Sequence, residues 1–129
     1  MSATVPDTPT LLQAAADYLE GELLPTLPDF HRFQTRVTVN LLRLVERELR
    51  LAPAQQRAEH TRLGALTGRE GSLDELNAAL ANDILVGNVT LTDHELLQHL
   101  RQTLHETLQI HHPAWTRDEA GPTSPRRIR

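Results

Sequence analysis

The stretch Phe33-Gln34-Thr35-Arg36-Val37-Thr38-Val39-Asn40-Leu41-Leu42-Arg43-Leu44-Val45-Glu46-Arg47-Glu48-Leu49 decides the fold class. At about 100° per residue, Phe30, Phe33, Val37, Leu41, Leu44, Val45 and Leu49 fall on one broad side of a helix. The expectation is that this side is buried. Beside it Arg36, Asn40, Arg43 and Arg47, three or four residues apart, form a polar row. Such a row suits contact with an anion or an acidic partner surface, and equally a solvated face with internal ion pairs.

Working outward, the same periodicity recurs on both sides. Thr8-Pro9 reads as a cap followed by proline at the first helical position, and Leu11, Leu12, Ala15, Ala16, Leu19 and Leu23 follow at helical spacing until Pro25. Asp29 is the expected N-cap of the central helix, which should run to about Leu51. Ala52-Pro53 then restarts the chain as a weaker third helix through Leu66, and Gly68 and Gly71 bracket a turn.

Ser72-Leu73-Asp74-Glu75 is a capping box that opens a fourth helix, with Leu73, Leu76, Leu80 and Ile84 facing inward and Gly87-Asn88 closing it. Thr92-Asp93-His94-Glu95 reads as a second box, opening a fifth helix with Leu97, Leu100, Leu104 and Leu108 inward until His112-Pro113. The only β-like triplets are Val37-Thr38-Val39, inside a helical period, and Val89-Thr90-Leu91. The fold expected is all-α, a four- to five-helix antiparallel bundle over 8–115. Residues 1–7 are expected to be a disordered leader, and 116–129 a disordered, Pro/Gly/Ser-rich tail that ends in arginines.

Composition narrows the chemistry. The 129 residues suffice for one domain. There is no cysteine, hence no disulfide, thiol nucleophile or thiolate metal site, and all 13 basic residues are arginine. A Schiff-base lysine and a phosphate-loop lysine are therefore excluded. The formal net charge of -4 argues against nucleic acid as a partner. Neither a secretory leader nor an apolar run of membrane-spanning length is present, so the location expected is the cytoplasm, with no membrane contact.

Two histidine patterns resemble catalytic metal sites and do not qualify. In His94-Glu95-Leu96-Leu97-Gln98-His99 the second histidine comes five residues after the first, about 140° off the face a shared metal needs. His105-Glu106-Thr107-Leu108-Gln109 has glutamine at the ligand position, and His31, His60, His111 and His112 show no ligand spacing. The histidines are expected on solvated helix faces, with no metal and no cofactor. Glu46 reads as a surface residue pairing with Arg43 or Arg50, while Glu20 and Glu22 can reach the arginine row. Glu48 lies level with Phe30 on the apolar side. A carboxylate there needs a partner, either an internal arginine or a group on a ligand or second protein. Asn40, a poor mid-helix residue, is expected to hydrogen-bond a neighbouring helix end or a partner.

The pattern as a whole resembles an uncharacterised bacterial all-helical family. The likeness rests on Tyr18-Leu19-Glu20-x-Glu22-Leu23-Leu24-Pro25, Phe33-x-x-Arg36-Val37-x-x-Asn40-x-Leu42, Val45-Glu46-Arg47-Glu48-Leu49, Arg62-Leu63, Leu73-x-x-Leu76-Asn77-x-x-Leu80 and Leu97-x-His99-Leu100-Arg101-x-Thr103. It covers roughly residues 8–115. Members sit beside, or are fused to, aminoglycoside-phosphotransferase-like kinases, often near an acyl-CoA dehydrogenase-like enzyme. The resemblance implies a non-catalytic accessory subunit of such a kinase, acting on hydroxyacyl-CoA substrates as in levulinate catabolism. The family carries no agreed functional residues, so the candidates remain Arg36, Asn40, Arg43, Arg47 and Glu48. The alternative is a stand-alone module that binds a small anion or acyl-CoA, and the wide apolar side also allows a homodimer.

Overall fold

The computed structural model describes residues 5–117, and the chain is all-α, with no strand among the described residues. Helix α1 spans Thr8–Tyr18, α2 Asp29–Thr67, α3 Leu73–Leu85, α4 His94–His111 and α5 Pro113–Arg117. The chain divides into two compact units, Met1–Pro53 and Ala54–Arg129.

In the first unit Asp7, and not Thr8, caps α1: its carboxylate accepts from the Thr10 N–H at 2.9 Å. That contact holds the Asp7 carboxyl below its ordinary pKa. The helix does not stop cleanly at Pro25 but leaves through a π-helical turn, Leu19–Leu23, and a 3₁₀ turn, Leu24–Thr26. Arg43 of α2 reaches back to Asp17 (3.1 Å) and Glu20 (3.6 Å), and Arg50 acts electrostatically on Asp7. The two helices are therefore antiparallel.

Two expectations fail in α2. First, the helix does not end near Leu51; it continues through Pro53 to Thr67. Proline cannot donate to the carbonyl four residues back and costs about 3 kcal/mol inside a helix. Here helix formers flank it on both sides, from Glu46 to Leu51 and from Ala54 to Glu59. Secondly, the broad apolar side is not buried. Phe30 is 68% exposed, Phe33 64% and Leu41 56%, and Val37, Val45 and Leu49 are exposed as well. In the part of α2 that belongs to the first unit the buried residues are Val39 and Glu46, which lie about 160–180° from Phe30 on the wheel. The side of α2 turned toward α1 is the one that bears Arg43, which pairs with Asp17 of α1 and with Glu20 of the π-helical turn after it.

The second unit closes a conventional core. Leu63 of α2, Leu76 and Leu80 of α3 and Leu96 of α4 are buried together, with Leu66, Leu73 and Val89 packed against them. Ser72 caps α3 by accepting from the Glu75 N–H at 3.2 Å, as its capping box requires. Gly87, at φ +80°, ends α3 in the left-handed region, and the Asp83 carbonyl accepts from the Asn88 N–H (2.9 Å) and the Val89 N–H (3.3 Å). Ile84 is exposed, where the leucine spacing had placed it inward.

The second capping box does not form. Asp93 is the N-cap of α4, without a side-chain bond into the helix, and its carboxylate accepts from the Thr90 N–H at 3.0 Å. The buried side of α4 is also rotated from the expected one. Leu96, His99, Glu106 and Ile110 face inward, while Leu100 and Leu104 are exposed. Thr116 and Arg117 are helical, so the tail expected from 116 does not include them; the rest of that tail, and residues 1–4 of the leader, lie outside the described residues.

Candidate functional site

The sequence candidates all sit on α2 in the first unit, but not as one cluster. Arg36 and Asn40 are exposed. Arg43 is drawn toward α1 and its charge is shared between Asp17 and Glu20. Arg47 is half-buried and engaged in an interaction of its own. Glu48 is exposed on the apolar side, not in a core. The buried carboxylate is that of Glu46, read as a surface residue from sequence; it pairs with Arg50 one helical turn on. What α2 presents is thus an uncovered apolar side, edged by Arg36, Asn40 and Arg47, with Glu48 on its centre line.

A second polar arrangement, in the other unit, went unseen in the sequence. Arg62 of α2 donates to Glu106 Oε1 from Nη1 (2.8 Å), to Thr103 Oγ1 from Nη2 (3.2 Å) and to His99 Nδ1 from Nε (3.3 Å), with Nη2 also 3.5 Å from Glu106 Oε2. Gln102 Nε2 donates to Glu106 Oε1 at 3.2 Å, and Gln55 Nε2 donates to the Glu106 carbonyl at 3.0 Å and to Gln109 Oε1 at 3.1 Å. His99 and Glu106 are buried, which corrects the expectation of solvated histidines. Burial, and then the Arg62 charge, push the His99 pKa below its ordinary value, against the opposing pull of Glu59 and Glu106.

Every nitrogen of the Arg62 guanidinium is engaged, and the Glu106 carboxylate is neutralised by it. Neither group is free to hold an anion or to take a proton from a substrate. With Nδ1 accepting, the neutral His99 ring keeps its proton on Nε2. A groove of about 530 Å³ borders the cluster, lined by Arg62, Glu95, Gln98, His99 and Gln102 with Ala65 and Leu66. The arrangement locks α4 to α2 and explains the rotated face of α4. One signal was available: His99, Thr103 and Glu106 recur at four and three residues, an inward polar row among the leucines. Arg62, His99 and Thr103 also belong to the motifs that carry the family resemblance.

Among the described residues no three His, Asp or Glu side chains gather as metal ligands, and no helix is long and apolar enough to cross a membrane. No curated protein and no solved structure matches the chain. Residues 25–115, from the turn before α2 to the Trp115 of α5, match the family described as a domain of unknown function (DUF6285), and the chain belongs to that family.

Proposed function

We propose that this chain is a non-catalytic accessory subunit of an aminoglycoside-phosphotransferase-like kinase acting on hydroxyacyl-CoA substrates. The observation that carries the reading is on α2, where an uncovered apolar side is edged by Arg36, Asn40 and Arg47. Apolar surface rimmed by arginine is the make-up of protein interfaces. The kinase itself, and an acyl-CoA dehydrogenase-like enzyme as a further neighbour, rest on the sequence resemblance. In this reading the kinase supplies nucleotide, metal and base, and the present chain stabilises it or completes its acyl-CoA pocket.

The alternative, a module that holds acyl-CoA or a small anion alone, is weakened by the ion pairs of Arg43 and by the saturation of Arg62. The decisive experiment is ATP-dependent phosphorylation of a 4-hydroxyacyl-CoA by the kinase encoded beside this gene, with and without this chain. Co-elution on a sizing column is the companion readout. Activity and co-elution that need both proteins, and that Arg36→Glu abolishes, are expected. Full activity of the kinase alone without co-elution overturns the proposal, and coenzyme A binding by the isolated chain would then put the alternative ahead.

A further inference from the structure

We infer that the uncovered side of α2 is a self-complementary interface, on which a second copy of this chain packs antiparallel with its two-fold axis at Leu41. This goes beyond the partner reading and does not depend on it. Both readings draw on the same surface of α2: here the second copy takes the apolar side and leaves to the kinase the edge that bears Arg36, Asn40 and Arg47.

The first support is the order of residues along the stripe, which reads alike from both ends. Place Leu41 against Leu41 of the second copy and run the helices in opposite directions. Val37 then meets Val45, Phe33 meets Leu49 and Phe30 meets Ala52. Only two polar residues lie within about 40° of the stripe's centre line, Gln34 and Glu48. In this register they meet each other, so that an amide N–H of Gln34 can donate to the Glu48 carboxylate. Shifting the register by a turn sets Glu48 against Phe30 or Val37, where the carboxylate has no donor. An interface built on a two-fold axis requires this kind of self-complementarity.

The second support is size. The six exposed apolar residues from Phe30 to Leu49 leave on the order of 600 Å² of side-chain surface open. A standard interface takes about 800 Å² from each partner, and Gln34, Glu48 and the arginine edge can supply the rest. The stripe is about 33 Å long from Phe30 to Ala52, enough for a full helix–helix seam. Arg36 of one copy approaches Arg47 of the other at the edge. The pairing doubles the cationic edge offered to an acidic partner.

Because the chain has no cysteine, single cysteines test the geometry directly. Under mild oxidation Leu41→Cys should cross-link to itself. Phe33→Cys and Leu49→Cys should each remain uncross-linked alone and cross-link when mixed, since a disulfide needs Cα atoms within about 7 Å. Self-linking of Phe33→Cys or Leu49→Cys overturns the antiparallel register. Light scattering on the unmodified full chain should show a dimer; a monomer at every concentration and salt sinks the proposal. Gln34→Arg should tighten the dimer about ten-fold and Glu48→Arg loosen it as much, with Gln34→Glu restoring the latter. Residues 34 and 48 are about 21 Å apart along one helix, so such a rescue can only pass between copies. Kinase activation by a monomeric chain would sink the dimer alone; a dimer that leaves the kinase unaffected would sink the accessory reading alone.

Discussion

Leu41 and Leu63 lie on the same helix, yet Leu41 is 56% exposed and Leu63 0%. Their neighbours along the chain do not explain this, for both sit in amphipathic sequence. What differs is the element that packs against each segment of α2. Around Leu63 the segments α3 and α4 each bring leucines, and three helices close one core. Around Leu41 the first unit brings α1 and the π-helical turn after it, whose contribution toward α2 includes the carboxylates of Asp17 and Glu20. α1 meets α2 on the side that bears Arg43, and the apolar side is left open. The leftover leucines then become surface available for another chain.

The largest effect should come from truncating the two leucines. Leu63→Ala removes a fully buried side chain and should cost about 2–5 kcal/mol in denaturant titration. Leu41→Ala should cost under about 0.5 kcal/mol when measured on dilute, monomeric protein. Equal costs at low concentration would mean that Leu41 is buried within the single chain, and the contrast between the units would collapse.

The sequence made the helical class legible, because leucines recur at helical spacing from Leu11 to Leu108 and the Ser72 cap and the Gly87 stop have local causes. Which face each helix buries was not legible for α2 or α4. For α2 the periodicity marked the apolar side correctly, but burial depended on α1, whose charges cannot be assigned to a face without the pairing. For α4 the leucine spacing pointed to Leu100 and Leu104, whereas Arg62 selected His99, Thr103 and Glu106. Such a cross-helix clamp leaves only a faint trace in one sequence. Pro53 misled for a different reason: proline argues for a break locally, and the helix absorbs its cost over a long run of good formers.

The clamp offers the next test, in the unit where the core is closed. Arg62→Met leaves Glu106 buried without its cation and should cost about 2–3 kcal/mol, less than a fully buried pair because Arg62 keeps some exposure. Pairing it with Glu106→Leu should recover most of that loss. If the double variant is as unstable as the single one, the guanidinium serves a packing role and not an electrostatic one. In the same unit Ser72→Ala removes the cap of α3 and should cost about 1 kcal/mol. A loss well below that would place the start of α3 outside the cooperative core.

The smallest effect is also the one that separates the units by pH. The folded state lowers the His99 pKa, chiefly by burial and next by the Arg62 charge. The unfolded chain therefore takes up its proton first as pH falls, beginning near the ordinary histidine value of about 6.5. The contribution of neutral His99 is fully present above that value and is lost as pH drops through the lower, folded one. Protonation would also place a second cation against Arg62 Nε, ending the hydrogen bond that Nδ1 accepts. Stability measured from pH 7.5 down to about 5 should decline, and His99→Gln should flatten the slope in that window. Leu41→Ala on dilute protein should leave the slope unchanged, because the first unit has no buried histidine among the described residues. An unaltered slope in His99→Gln would move the pH response elsewhere and leave the clamp without a titrating member.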